Sequence, residues 1–278
     1  ISYGLIFFRA YALQTTHIKG YVESSYNNDS LKAVGKNVSE ETVIAGVKQD
    51  EANKQLQTVS TTGQQNNYVT IPTLLYHKTP ADFEQQLIAL RDKGYTTITM
   101  SEFNDIVRGR LKAPAKPAAI TFDDGFTDQL TAFSLLKKYN MKATFYIITG
   151  GELTNWCIGA DRKNYSCGDD YMSWGQIKSL LDSGLIEIGA HTINHLSLPN
   201  QIPNVQHDEI FRSKSIIEEK LGIKVNSFAY PYGRYNGQLI SLVQQAGYTN
   251  ATGTEDGVNM SINNIFNIPR IRTTLKLP

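Results

Sequence analysis

The stretch "AAITFDDGFTD", residues 118–128, places an apolar run directly before two adjacent aspartates and a glycine. The apolar part is typical of a buried strand, so Asp123 and Asp124 stand where that strand ends. Side chains alternate in direction along a strand, and an ionised carboxylate is costly to bury without a partner. The pair therefore predicts a cation, a proton or water beside it.

Length and composition limit the class of protein. With 278 residues and 41% hydrophobic content, the chain can bury one sizeable core, as a single large domain or as one domain with an appendage. The 27 basic and 26 acidic residues leave a formal charge of +1. Such a balance provides no basic field for nucleic acid or an anionic membrane, so we expect no nucleic-acid partner.

The first part of the chain differs in composition from the rest. Its opening apolar patch, "ISYGLIFFRAYAL", is shorter than the roughly 20 residues of a membrane span. The patch is either the remainder of a removed anchor or signal, or a packed strand or helix. From Gly20 to about Tyr68 polar residues dominate and proline is absent, as in a solvated stalk. We predict an N-terminal polar extension, linker or stalk over residues 1–69 and the folded domain over residues 70–278.

The two cysteines, Cys157 and Cys167, lie in the polar stretch "NWCIGADRKNYSCGDD". No CxxC spacing is present, which argues against a structural zinc ribbon. The pair forms either a disulfide that closes a surface loop or two free thiols. A disulfide would favour an oxidising compartment and hence export.

Beyond residue 70, strand-like runs alternate with segments of helical period. The runs occupy residues 73–76, 95–99, 118–122, 143–148, 185–190, 225–230 and 248–252. The helical segments occupy residues 81–94, 101–109, 128–140, 173–184, 206–222 and 237–247, and Ser173 with Gln176 forms a capping box. This order predicts an α/β fold with a mostly parallel sheet, closed into a barrel, with chemistry at the strand ends.

A second polar cluster follows another strand-like run in "IEIGAHTINHLSL". His191 and His195 are four residues apart, a spacing that brings both imidazoles to one metal ion. Two histidines and one aspartate leave coordination positions open, as a catalytic zinc site requires. The histidine spacing alone is also a common coincidence of helix surfaces, so the metal prediction depends on the aspartate pair.

Two further strand ends carry candidate residues. In "FAYPYGRYN", residues 228–236, Pro231 and Gly233 predict a tight turn whose amide groups face a pocket, which makes the Tyr232 N–H a candidate oxyanion donor. An ordinary strand-to-helix turn is the alternative. His77 follows the run "TLLY", where a single histidine is more often structural.

Taken in order, "TFDDG", "HTINH" and "FAYPYG" resemble the polysaccharide deacetylase family, the NodB-homology group also called carbohydrate esterase family 4. "LLYHK" before them and "IPRIR" after them are similar to the branch that deacetylates poly-N-acetylglucosamine in biofilms. The resemblance covers about residues 70–274. It implies a distorted barrel of seven to eight β/α units.

The resemblance also implies roles for these residues. Asp123 is the general base, and Asp124, His191 and His195 hold a divalent metal ion, with zinc favoured. The backbone N–H of Tyr232 stabilises the oxyanion. The reaction is hydrolysis of N-acetyl groups on an N-acetylglucosamine-containing polysaccharide, which releases acetate and a free amine.

The sequence departs from the family pattern at two points. Ala229 stands where family members often carry an arginine that orients the base, and Arg270 in "IPRIR" is the candidate replacement. The family's late Leu-x-His motif is missing, since no histidine follows His207. In the resembling branch the barrel is circularly permuted, so we predict that His77 is the general acid, across the site from Asp123.

The resemblance implies an acetylated amino-sugar polysaccharide as partner and a secreted or surface-anchored bacterial protein. The N-terminal region is a candidate for peripheral association with the cell surface or membrane. Two alternatives stay open, a small-molecule amidohydrolase on the same fold and a non-catalytic glycan-binding relative. Trp174 either lines a sugar groove or packs on the core, whereas His207 is expected to be solvated.

Overall fold

The computed structural model describes residues 69–150, 171–257, 259–260 and 262–272. All of them belong to one of the chain's two units, Asn66–Pro278. The predicted extension falls outside these residues except for its last position, and Cys157 and Cys167 fall outside them as well. The stalk and the disulfide therefore stay predictions. Within the described part of the chain, every helix is too short or too polar to cross a membrane.

The described elements follow the predicted alternation of strands and helices. The strands are β1 Val69–Thr70, β2 Thr73–Tyr76, β3 Thr96–Ile98, β4 Pro117–Phe122, β5 Ala143–Ile147, β6 Ile186–Ala190, β7 Ser227–Ala229, β8 Asn250–Thr252 and β9 Asn259–Met260. The helices are α1 Phe83–Asp92, α2 Met100–Val107, α3 Gln129–Tyr139, α4 Trp174–Leu181, α5 Pro203–Leu221 and α6 Gly237–Gln245. Each predicted segment matches one of these within a few residues at its ends, and the predicted capping box of Ser173 and Gln176 is present.

The main sheet is parallel and curls into a barrel. Its strands follow the order β2-β4-β5-β6-β7-β8, and β3 pairs with β4. The segment 268–271 joins the two outer strands: the Ile268 N–H donates to Ala251 of β8 (2.9 Å), and the Ile271 N–H donates to Thr73 of β2 (2.7 Å). The predicted barrel is confirmed, and its closure depends on a short irregular segment.

Alternation along the strands divides the apolar side chains between two clusters. In β4, Ile120 and Phe122 pack in an outer cluster that also contains residues of the surrounding helices. Ala119 packs in an inner cluster with Tyr146 of β5 and Phe103 of α2. Because period-two alternation places residues 119, 121 and 123 on one face, the side chain of Asp123 continues the inner face beyond the end of the strand.

The end of the barrel opposite the aspartates is covered by the first turn of α2. There the Glu187 carboxylate of β6 accepts hydrogen bonds from the Ser101 N–H (2.8 Å), the Ser101 hydroxyl (2.9 Å) and the Ser227 hydroxyl (2.6 Å). The Met100 N–H donates to the Thr144 hydroxyl (3.0 Å). A carboxylate at a helix N-terminus satisfies amide donors that have no partner within the helix. Glu187 thus fastens α2 to the sheet.

Replacing Glu187 by Ala should lower the free energy of unfolding by about 2–3 kcal/mol, because four hydrogen-bond donors, the Thr144 hydroxyl among them, lose a charged acceptor. Urea unfolding followed by circular dichroism measures the change. Asp182→Ala is the control, since it removes only an exposed ion pair with Lys178 and should change the free energy by under about 0.5 kcal/mol. Equal effects of the two substitutions would contradict this role of Glu187.

Candidate functional site

The residues that the sequence singles out meet at the carboxyl ends of the parallel strands. His77 follows β2, the two aspartates follow β4, His191 follows β6 and the turn Pro231–Gly233 follows β7. Arg270 enters from the closing segment between β8 and β2. Parallel strands bring their carboxyl ends to one edge of the sheet, which is where ligands of α/β proteins bind.

Arg270 forms a bidentate ion pair with Asp123. Its Nη1 and Nη2 atoms each donate to one carboxylate oxygen at 2.7 Å, and both side chains are buried. The rest of the guanidinium is also used, since Nε donates to the Gly253 carbonyl (2.8 Å) and Nη1 to the Thr121 hydroxyl (3.2 Å). The predicted contact of Arg270 is therefore present, whereas Ala229 packs in the inner cluster.

This ion pair determines the charge state of Asp123. Burial on its own would raise the pKa of the Asp123 carboxyl, but Arg270 and then His191 outweigh it and lower the pKa to about 2. Asp123 is thus a carboxylate at neutral pH and is held in one orientation. A proton acceptor of fixed direction is what a general base requires.

Asp124, His191 and His195 converge on one point. The Oδ1 atom of Asp124 lies 3.5 Å from Nε2 of His191 and 3.6 Å from Nε2 of His195, and potential ligand atoms of the three residues lie within 4.8 Å of one another. Two ligands of a tetrahedral ion with bonds of about 2.1 Å stand about 3.4 Å apart. These separations fit a shared metal ion, and the three predicted ligands are brought together.

The environment of the three side chains fits a metal ion as well. Oδ1 of Asp124 is buried and accepts no hydrogen bond from any described residue. Burial, together with the charge of Asp123, raises the pKa of Asp124 to about 7, and burial lowers the pKa of both histidines. A divalent cation would reverse the cost of ionising Asp124 and would use the lone pairs of neutral imidazoles.

A hydrogen bond orients the first histidine. Nδ1 of His191 lies 2.8 Å from the Ala229 carbonyl oxygen. Because a carbonyl only accepts, Nδ1 carries the proton and Nε2 presents its lone pair toward Asp124. The position that lacks the family arginine therefore contributes its backbone to the same site.

The site also concentrates unusual backbone conformations. Non-glycine residues with positive φ include Asp124 (77°), Thr192 (67°), His195 (53°) and Tyr232 (60°). Such conformations are disfavoured for L-residues, above all for a β-branched one such as Thr192, and they persist only where surrounding contacts enforce them. At Asp124 the positive φ interrupts the strand alternation, which lets two consecutive aspartates belong to the same site.

The turn after β7 presents Tyr232 at the mouth of the site. Its side chain is 54% exposed, and its ring centroid lies 4.6 Å from that of His195. The described residues include no acceptor for the Tyr232 amide N–H. Gly233 allows the turn to approach its neighbour, because a Cβ there would lie 2.1 Å from the Thr254 hydroxyl. The oxyanion role of this amide stays a prediction.

His77 is exposed at the same edge, and its backbone is adjacent to that of Asp123. One amide group joins them, since Nε2 of Gln129 donates to the carbonyls of His77 and Asp123, both at 2.6 Å. The prediction places His77 across the site from Asp123. The structure instead places the backbones of the two residues side by side, because β2 pairs directly with β4. Partial desolvation of the imidazole ring lowers the pKa of His77; the charge of Asp123 opposes this shift, and Arg270 and Arg272 add to it.

Two further sequence candidates lie on the outside of the barrel, and two residues of the site were overlooked from sequence. Trp174 packs against the outer cluster, and His207 is solvated as expected, with its ring stacked on Phe211. Sequence reasoning missed Thr121 and Gln129, which hold the catalytic candidates in place. Their only sequence signal is a position next to the aspartate pair, which does not distinguish them from other polar residues there.

Comparisons with known sequences indicate the family of the chain. The family model described as polysaccharide deacetylase matches residues 110–251. YxkH of Bacillus subtilis (strain 168), whose name places it among polysaccharide deacetylases, is 30% identical over 214 residues, which cover 73% of this chain and 71% of that protein. A protein named poly-beta-1,6-N-acetyl-D-glucosamine N-deacetylase, from Staphylococcus aureus, is 26% identical over 205 residues, or 70% of this chain and 67% of the relative.

A solved structure has the same fold. The Streptococcus pyogenes deacetylase PplD, determined in complex with acetate, superposes with a TM-score of 0.64 at 28% identity, covering 74% of this chain and 93% of that one. The match of the family model to half of the sequence and the relative of 30% identity lead to one conclusion. The chain belongs to the polysaccharide deacetylase family.

Proposed function

We propose that this protein hydrolyses N-acetyl groups on an N-acetylglucosamine-containing polysaccharide in a metal-dependent reaction. The observation that carries the proposal is the convergence of Asp124, His191 and His195 beside an aspartate that Arg270 keeps ionised. The name of the Staphylococcus aureus relative supports the substrate class. The acetate in the PplD structure supports the product that we propose.

The donor set favours zinc as the ion, because one carboxylate and two imidazoles leave open the position of a catalytic zinc site. A bound divalent ion would polarise the amide carbonyl and lower the pKa of a water molecule. Asp123 accepts the proton of the attacking water. The Tyr232 N–H donates to the carbonyl oxygen as negative charge develops on it.

His77 completes the reaction by protonating the leaving nitrogen. The C–N bond of the amide breaks, the water oxygen bonds to the acetyl carbon, and one proton reaches the amine. The products are acetate and a free amino sugar. His77 and Tyr232 are both exposed at the mouth, which suits a polymer that lies across the opening.

We further propose that the protein acts outside the bacterial cell or on its surface, where such polymers are found. The predicted Cys157–Cys167 disulfide supports an oxidising compartment. Peripheral association through residues 1–69 is part of the same proposal.

Removing the metal should abolish activity, because no ion then polarises the amide carbonyl. Restoring Zn²⁺ should recover the activity. Acetate release from N-acetylglucosamine oligomers and other acetylated glycans measures the effect, with metal content determined by elemental analysis. His191→Ala should lose both metal and activity. Full activity in verified metal-free protein would overturn the proposal, and acetate released only from small amides would favour a small-molecule amidohydrolase.

Replacing His77 by Ala should lower turnover by roughly a hundred-fold or more, the usual scale of lost acid–base assistance, while metal content stays unchanged. His207→Ala is the matched control, because that histidine is solvated and stacks on Phe211 away from the predicted ligands. Acetate release by His77→Ala at the wild-type rate would show that another group protonates the amine.

Replacing Arg270 by Lys should lower kcat by roughly a hundred-fold, with little change in KM or metal content. An ammonium group keeps the charge but cannot donate to both oxygens of Asp123, so the base loses its fixed orientation. Steady-state kinetics and elemental analysis measure these quantities. Unchanged kcat in a folded variant would mean that the bidentate contact is only structural.

A further inference from the structure

The turn between the two histidine ligands, residues 191–195, has to be held in an unfavourable shape. Thr192 and His195 both have positive φ, at 67° and 53°, and neither is glycine. Contacts from outside the turn must therefore compensate for its conformation. One hydrogen bond lies within the turn, from the His195 N–H to the Thr192 hydroxyl (3.0 Å), and another reaches it from the end of β5, from the Thr149 N–H to the Thr192 carbonyl (3.1 Å).

A buried carboxylate on a neighbouring helix also holds the turn from outside. Glu209, on the inward face of α5, is only 3% exposed. Its Oε2 accepts from the Ile193 N–H (2.9 Å) and the Asn194 N–H (2.8 Å), and its Oε1 accepts from Nδ2 of Asn194 (2.6 Å). All three donors lie between the two histidines.

The contacts of Glu209 differ from those of the carboxylates that form ion pairs in this protein. No lysine, arginine or histidine in the described ranges forms a salt bridge with Glu209. Burying an ionised carboxylate is costly unless hydrogen bonds compensate, and charge-assisted bonds to amide groups are stronger than neutral ones. Within the described ranges, the Glu209 carboxylate thus accepts its hydrogen bonds from the backbone and the asparagine of this turn.

The two histidines depend on the turn to different extents. His191 directly follows β6, and its ring is oriented by the Ala229 carbonyl. His195 is the last residue of the turn, so the direction of its side chain depends on the path of residues 192–194. A contact that fixes Ile193 and Asn194 therefore acts mainly on His195.

We propose that Glu209 is a positioning residue for the metal site, which it serves by holding the 191–195 turn so that the His195 imidazole faces Asp124. The inference deepens the proposed function and rests on it in one respect, that these side chains bind a metal ion. According to this inference, helix α5 contributes no metal ligand but influences the metal affinity through Glu209.

The test is the affinity of metal-free protein for Zn²⁺, measured by competition with a chromophoric chelator. Glu209→Met removes the three accepted hydrogen bonds at similar volume and should weaken Zn²⁺ binding about 10- to 100-fold, the range found when groups that orient metal ligands are removed. Glu209→Gln keeps one oxygen for the two backbone donors and should restore part of the affinity. If the methionine variant does not fold, the glutamine variant carries the test with a smaller loss.

Glu218→Met is the matched control. Glu218 lies on the same helix, and its carboxylate likewise accepts from the backbone N–H of a following loop, at Val225 (3.0 Å), but that loop holds no metal ligand. This variant should lose stability while its Zn²⁺ affinity stays within about two-fold of wild type, well below the effect of removing a group that orients a ligand.

The outcomes separate the inference from the proposed function. Folded Glu209 variants that bind Zn²⁺ as tightly as the wild type would overturn the inference and leave the function standing. A wild-type protein that binds Zn²⁺ but releases no acetate would overturn the function, while the affinities would still decide the role of Glu209. A wild-type protein without Zn²⁺ affinity would overturn both.

Discussion

The buried ion pair between Arg270 and Asp123 is the interaction on which the rest of the site depends. Two charges inside a barrel are stable only if they are paired and their remaining donors and acceptors are satisfied. Arg270 meets this condition through Asp123, Thr121 and the Gly253 carbonyl. The same segment joins β8 to β2, so barrel closure and charge compensation come from one short stretch of chain. Closure of the barrel and ionisation of Asp123 therefore depend on each other.

The two adjacent aspartates show how environment separates chemically identical groups. Burial opposes ionisation of both, yet Arg270 holds the pKa of Asp123 at about 2, whereas burial and the neighbouring charge of Asp123 raise the pKa of Asp124 to about 7. The first is a permanent carboxylate, and the second needs a cation to ionise fully. A proton acceptor and a metal ligand thus arise from neighbouring residues of the same type.

Strain in this protein is concentrated where the chemistry is proposed. Four of the five non-glycine residues with positive φ in the described ranges are Asp124, Thr192, His195 and Tyr232. A regular strand or helix could not direct these groups toward one point, because its side chains leave at fixed intervals. The surrounding barrel, with its two apolar clusters and the polar contacts below α2, supplies the stability that compensates for these turns.

Sequence alone determined the alternation of strands and helices, the barrel class and the strand ends that carry Asp123, Asp124, His191 and Tyr232, because periodicity and turn chemistry are local properties of the chain. It also pointed to His195, His77 and Arg270, through spacing and family resemblance. Only the tertiary structure decided that Arg270 reaches Asp123, 147 residues away, and that Glu209 and Gln129 hold the turns of the site. Such contacts depend on strand register and on how helices pack against strand ends. A polar residue in a helix looks the same in sequence whether it faces solvent or a buried turn.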